Sequence, residues 1–240
     1  MAGDAPQESI DDLKRAAATR AVADEVQSGM VVGLGTGSTA IHATRRIGEL
    51  LDSGALRDVT GVPTAVETAD EARRVGIPLL ADDVPWEIDV TIDGADEVDP
   101  ALDLIKGGGG ALLREKLVAQ ASRREVIVVD GSKRTDRLGT RSPLPVEVVD
   151  FGLATTRREI ELLGAQIVVR GEGHGHQAFR TDQGNLVLDC HFGPIADAEA
   201  LAAELIAHAG VVEHGLFLGI ADAVVVARDS GIEVVNRPVS

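Results

Sequence analysis

The chain has 240 residues, 44% of them hydrophobic, and sets 39 acidic against 23 basic residues for a formal net charge of −16. That length holds one large domain or two modest ones with ample material for a core. The acid surplus argues against anionic partners, nucleic acid and acidic lipid above all, and with aromatics at 2% and Tyr absent no base-stacking platform is expected.

No apolar run is long enough for a membrane span. The opening "MAGDAPQESIDDLKRA" lacks the basic start and apolar stretch of a secretory signal. The single cysteine, Cys190, excludes an intramolecular disulfide and reads as a small core residue. A cytosolic location is expected. Lysine is usually among the commonest residues, yet this chain retains only Lys14, Lys106, Lys116 and Lys133. Two explanations stand: adaptation to a salt-rich cytoplasm, where screening reduces self-repulsion, or a GC-rich genome that encodes Arg, Ala, Gly and Val in place of Lys. Either way the four retained lysines become candidates for specific work.

In chain order, "DDLKRAAATRAVADEV" predicts a helix capped by Asp11 or Asp12. "MVVGLG" predicts a short buried strand, and the next helix starts near Ser38 and ends near Gly54. "DVTGVPTA" is a second strand, "ETADEARRVG" a helix, and "EIDVTIDGADEVD" a strand ending in acids. "GALLREKLVAQAS" is a helix and "REVIVVDGSK" another buried strand. This alternation implies an α/β fold, an open parallel sheet with helices on both faces. After about Arg137 the pattern becomes strand, helix, two strands, helix, strand: "PLPVEVVD", "GLATTRREIELLG", "AQIVVRG", "QAFRTDQGNLVLDCHF", "DAEALAAELIAHAG" and "VVEHGLF". That is a split-βαβ insert, with "DQGN" turning a hairpin. "ADAVVVARDSGIEVVNRP" adds one more strand that rejoins the first sheet. The expected division is a large domain of residues 1–138 and 222–240 with a small one of residues 139–221 inserted.

"VVGLGTGSTA" reads as a strand, a glycine turn and a helix start. Glycines let backbone approach an anion, a helix N-terminus offers free N–H groups, and Thr36, Ser38 and Thr39 add hydroxyls. A dinucleotide fingerprint would need a glycine where Ser38 stands and an acid at the end of the next strand; a nucleotide P-loop would need a lysine after the glycines. A phosphomonoester is therefore the better ligand. Asp93, Asp96, Glu97 and Asp99 crowd the carboxyl end of the third strand, the edge where open α/β sheets bind ligands. They suit metal binding, acid–base work or plain solvation. "IKGGGGALLREK" follows. Four glycines, Gly107 to Gly110, are costly in entropy and make sense where N–H groups face a developing negative charge. Lys106 precedes them, and Glu115 beside such a site is what proton abstraction next to a carbonyl requires. Lys133 ends the strand "VIVVDG" at the same edge.

"GLGTGSTA", "DGADEVD", "IKGGGGALLREK" and "VVDGSK", in this order and spacing, resemble the ribose-5-phosphate isomerases of the A type, and the likeness continues through "DQGNLVLDCHF" and "GVVEHGLF". The resemblance implies a Rossmann-like domain with a ferredoxin-like insert and the interconversion of ribose 5-phosphate and ribulose 5-phosphate, with no cofactor and no metal. It implies Glu115 as base, Asp93 and Asp96 as the carboxylates that handle hydroxyls and ring opening, and Lys106 with Gly107, Gly108 and Gly109 around the reacting end. Thr36, Gly37, Ser38 and Thr39 would contact the substrate, and Lys14 and Lys133 would stand near its phosphate. It also implies a homodimer or homotetramer with no nucleic-acid or membrane partner. Gly110 departs from the alanine common in the family, and the position just before the helix is expected to tolerate the glycine. A sugar-phosphate sensor without catalysis, or an amino-sugar phosphate deaminase or lactonase of similar fold, are the rival readings. His174 and His176 in "GEGHGHQ" are expected to be a solvated loop, and His191, His214 and Trp86 to serve packing or subunit contacts.

Overall fold

The computed structural model describes residues 9–171 and 177–238. Helix α1 (Ile10–Glu25) is capped by Ser9, whose Oγ accepts from the Asp12 N–H at 3.2 Å. Asp11 and Asp12, expected as caps, instead occupy the first turn, where carboxylates favour the positive helix end. There follow β1 (Val31–Leu34), α2 (Ala40–Asp52), β2 (Thr60–Pro63), α3 (Val66–Arg74), β3 (Val90–Asp93), β4 (Glu97–Val98), β5 (Leu104–Ile105), α4 (Leu112–Gln120) and β6 (Glu125–Asp130). Helix α2 begins later than Ser38, with Thr39 as its N-cap residue. The second half holds β7 (Leu144–Val148), α5 (Leu153–Leu162), β8 (Gln166–Val169), β9 (Leu186–His191), α6 (Ala198–Ala207), β10 (Val211–His214), β11 (Leu216–Phe217), β12 (Ala223–Arg228) and β13 (Gly231–Asn236).

The main sheet runs β13-β12-β6-β3-β1-β2 and is parallel except at one edge, where β13 pairs antiparallel with β12. One strand was expected from the C-terminal stretch; there are two, because Asp229 and Ser230 turn the chain back and Gly231 takes φ +123°. Strand β6 shows why the core has two sides. Val126 and Val128 join Ala17, Ala21 and Ile47 of α1 and α2, whereas Ile127 and Val129 join Ala119 of α4, Phe217 and Val224.

The second sheet, β10-β7-β9-β8, is antiparallel throughout and carries α5 and α6 in the split-βαβ order. Cys190 is fully buried in its core. Two expected strands come out differently. "QAFR" is not a strand, and its pairing shrinks to one bridge between Arg180 and Leu186. "VVEHGLF" is two strands: β10 stays in the small sheet, while β11 pairs with β5 in a three-stranded ribbon, β11-β5-β4. The break falls at Gly215, where a Cβ would overlap the Lys106 carbonyl oxygen. Glu97 of β4 ties the connection to the small sheet, its carboxylate accepting from the N–H groups of Gly139 (2.8 Å), Arg141 (2.6 Å) and Ser142 (2.5 Å).

Gly33 in β1 faces β3 so closely that a Cβ would overlap Thr91 Oγ1 and crowd Val118 of α4. Overpacking a filled interior typically costs about 1–3 kcal/mol. Gly33→Ala is expected to lower unfolding stability by at least about that amount, read as a lower urea midpoint. An unchanged midpoint would show that β1 and β3 have room to separate.

Candidate active site

The site lies where β1, β3 and β6, three neighbouring parallel strands, end together. Parallel strands present their loops at one edge, so residues far apart in sequence meet there. The cleft is lined by Thr36, Gly37, Ser38 and Thr39 after β1, Asp96 after β3, Lys106 to Gly109 with Glu115 on α4, and Lys133 after β6.

At its floor Lys106 is only 2% exposed. Its ammonium meets Asp93 Oδ2 at 2.9 Å, the Gly94 carbonyl oxygen at 2.6 Å and Glu115 Oε1 at 3.4 Å, with the Phe217 ring centroid at 5.4 Å. Asp93 lies beneath, buried, and its Oδ1 accepts from the N–H groups of Thr36 (3.1 Å) and Gly94 (2.7 Å). This revises the reading of the first glycines. A Cβ at Gly35 would overlap the Asp93 side chain, as one at Gly33 would overlap Thr91. Gly33 and Gly35 thus serve the close approach of β1 to β3, and only Gly37, at φ +106°, belongs to the open turn.

Burial would push the Lys106 ammonium down, but Asp93 and Glu115 outweigh it and hold it above the usual lysine range. Burial pushes Glu115 up to about 8; Lys106 pulls the other way, and Asp93 and Asp96 add repulsion. Burial also raises Asp93, opposed by Lys106 and by the two N–H groups. Glu115 Oε2 is buried without a hydrogen-bond partner. It is the open position at which a proton can be taken up or given back.

At the other end Lys14 of α1 donates to Ser38 Oγ at 2.9 Å. Lys133 arrives from a single 3₁₀ turn whose start is held by Asp130, which accepts from the Ser132 N–H at 2.9 Å. Lys133 and the turn Thr36–Thr39 before α2 thus line one end of the cleft, and Lys14 reaches it through Ser38, an arrangement that suits a dianionic phosphate. The Thr36 hydroxyl, expected to face a ligand, is instead bonded to Thr64 Oγ1 (2.6 Å) and Thr68 Oγ1 (2.9 Å). Asp96 lines the cleft and accepts from the Gly108 N–H at 2.7 Å.

Some participants went unnoticed in the sequence. Glu125 heads β6 beside Thr91, is 2% exposed, and neither carboxylate oxygen has a partner. Burial raises it well above the usual carboxylate range, reinforced by Asp93. Its signal was an acid starting an otherwise apolar strand. Lys116 turns away from the cleft to Glu213 Oε1 (2.6 Å) and the His214 carbonyl oxygen (2.7 Å). His214 is thereby a packing residue, as expected, held down to about 4 by burial and by Lys116. Gly110 is accommodated as expected and is in fact favoured: it sits at φ +82°, and a Cβ there would overlap the Phe179 ring. His174 and His176 lie outside the described residues.

A cleft with lysines Lys14 and Lys133 at one end and a buried carboxyl–ammonium pair at the other has close counterparts. Residues 60–231 match the family model described as ribose 5-phosphate isomerase A (phosphoriboisomerase A). A protein of Chloroflexus aurantiacus named ribose-5-phosphate isomerase A is 56% identical, with 94% of both chains covered. One of Desulfatibacillum aliphaticivorans with the same name is 54% identical over 93% of this chain and 96% of its own. Among solved structures, ribose 5-phosphate isomerase from Plasmodium falciparum superposes with a TM-score of 0.91 at 39% identity, covering 95% of this chain and all of its own. A D-ribose-5-phosphate isomerase solved in complex with phospho-erythronic acid gives 0.92 at 35% identity, over 96% and 100%. Identity of this order over nearly the whole length, together with one fold, makes the chain a member of the ribose 5-phosphate isomerase A family.

Proposed function

We propose that the chain interconverts D-ribose 5-phosphate and D-ribulose 5-phosphate, and that the cleft described above is where it does so. The observation that carries this reading is Glu115, a buried carboxyl held near pH 8 with one free oxygen, beside a buried ammonium and a glycine loop. Phospho-erythronic acid, bound by a relative, supports the ligand class: a short polyol chain with phosphate at one end and negative charge at the other.

In this reading Lys14, Ser38 and Lys133 hold the phosphate, which places C1 and C2 at Glu115. Asp96, the carboxylate that lines the cleft, takes the O1 proton as the C1–O4 hemiacetal bond breaks and passes it to the ring oxygen, which becomes the 4-hydroxyl. Asp93 stays beneath and orients Lys106. Glu115 removes the C2 proton, and the electron pair forms the C1–C2 double bond while O1 takes the negative charge. Lys106 and the Gly109 N–H meet that charge. The O2 hydroxyl proton passes to O1 as Glu115 returns its proton to C1. The hydrogen shift is internal, so electrons balance without an external acceptor.

We further propose residues 1–138 and 222–240 as the catalytic unit and 139–221 as the smaller one, an assignment supported by the separate apolar cluster built around Val146, Leu188 and Leu205. The acid surplus is read as salt adaptation, supported by the −16 charge and the four lysines.

Four measurements test these statements. Incubation with ribose 5-phosphate, at low and at molar KCl, is expected to yield ribulose 5-phosphate; no product at either salt overturns the function. Glu115→Gln is expected to keep substrate affinity and lose about 10²–10⁴-fold in kcat, the usual worth of a general base. Near-full turnover would remove Glu115 from that role. Because the base acts ionised and its pKa is raised, kcat/KM is expected to climb about tenfold per pH unit below about 8 and level off above it; a profile flat from pH 6 to 9 contradicts the assignment. Melting temperature is expected to rise with KCl, since salt screens the surface carboxylates, and a flat response favours the genome-composition explanation.

A further inference from the structure

We propose that Arg170 is a positioning residue for this reaction, acting through the peptide groups of Gly108 and Gly109; the inference rests on the isomerase reading above. Arg170 follows β8 and comes from the small sheet. Asp189 of β9 holds one edge of its guanidinium, with Nε on Oδ2 at 3.0 Å and Nη2 on Oδ1 at 2.5 Å. Such a two-point pair fixes the guanidinium plane, and the Phe179 ring, 5.8 Å from Cζ, covers its face. Nη1 remains, and it donates to the carbonyl oxygens of Gly107 (2.9 Å) and Gly108 (3.2 Å).

The consequence follows from peptide geometry. In a trans peptide the C=O and the following N–H point in opposite directions, and the described residues contain no cis bond. With the Gly107 carbonyl turned to Arg170, the Gly108 N–H points the other way and reaches cleft-lining Asp96 at 2.7 Å. With the Gly108 carbonyl turned to Arg170, the Gly109 N–H also points to the cleft side. Gly109 lines the cleft, and its N–H meets no acceptor among the described residues. It is free for an oxyanion.

Within the loop the Gly107 carbonyl has a second donor, the Gly110 N–H at 2.9 Å, but among the described residues the Gly108 carbonyl accepts from Arg170 alone, and a glycine peptide otherwise rotates readily. A flipped peptide would aim a carbonyl oxygen at the developing enediolate and repel it. The cation outside the loop favours the donor-inward arrangement. Since Asp189 neutralises that cation, the contribution is orientation rather than net charge.

The test compares wild type with Arg170→Gln and Asp189→Asn. For Arg170→Gln, kcat is expected to fall about 10- to 100-fold, short of the ~10²–10³ for deleting a donor outright, with KM within about threefold. Affinity for phospho-erythronic acid, which carries charge at the reacting end, should fall with kcat, while inhibition by inorganic phosphate stays unchanged. Asp189→Asn, which keeps the guanidinium but loosens it, should give a smaller loss of the same kind. It also carries the measurement if Arg170→Gln does not fold. Equal loss of phosphate and phospho-erythronic acid binding, or no loss in kcat, overturns the proposal. A wild type inactive on ribose 5-phosphate would instead remove the isomerase reading, and the two binding measurements would still decide whether Arg170 orients the loop.

Discussion

One buried ammonium organises this molecule. Taking Lys106 out of water costs several kcal/mol even after relaxation, and it is recovered only because Asp93, Gly94 and Glu115 close on it at 2.9, 2.6 and 3.4 Å. Those partners come from the end of β3 and from α4, and Phe217, whose face lies under the charge, comes from β11. The strands therefore have to end at one level and α4 has to start at one place. The same requirement explains Gly35: any side chain there would displace Asp93, and with it the partner that holds Lys106.

The cluster has more acid than base, and that imbalance is chemically useful. Asp93, Glu115 and Glu125 are all buried near Lys106; burial is the main cause that raises each, and Asp93 adds repulsion to both Glu115 and Glu125. In water these carboxyls would be ionised at neutral pH; here a proton is retained at Glu115 until about pH 8. A fold selected for stability alone would not bury three acids around one cation. Strained or uncompensated groups of this kind concentrate where chemistry is done.

The small sheet acts as the back wall of the site. Lys116 ties the helix that bears Glu115 to Glu213 and His214, Gly215 packs against the Lys106 carbonyl, and Arg170 grips the glycine loop. Asp93 ends a strand of the parallel sheet, Lys106 follows β5 and Glu115 stands on α4, yet three of the supports around them come from the chain between β8 and β11. A loop of four glycines has little order of its own beyond the Gly110-to-Gly107 turn bond; the rest of its geometry is held by Asp96 and Arg170.

Much of this was legible in the residues themselves. Apolar strands alternating with helices announced the parallel sheet, and "GLGTGSTA", "DGADEVD" and "IKGGGGALLREK" announced loops built for an anion and for acid–base work. Strand period, turn chemistry and residue type are local properties, and local properties survive in a one-dimensional string. What escaped was settled by contacts across the chain. Arg170 and Gly107 are 63 positions apart, Lys116 and Glu213 are 97, and Thr36 and Thr64 are 28. Glu125 drew no notice within "REVIVVDGSK" because its burial depends on the fold, and "VVEHGLF" looked like one strand until Gly215 had to clear Lys106. Thus the sequence by itself determined which chemical groups stand at the ends of which elements. Only the tertiary structure decided which are buried, which are paired and which oxygen is left free, because the cost of burying a charge depends on neighbours that the fold alone brings together.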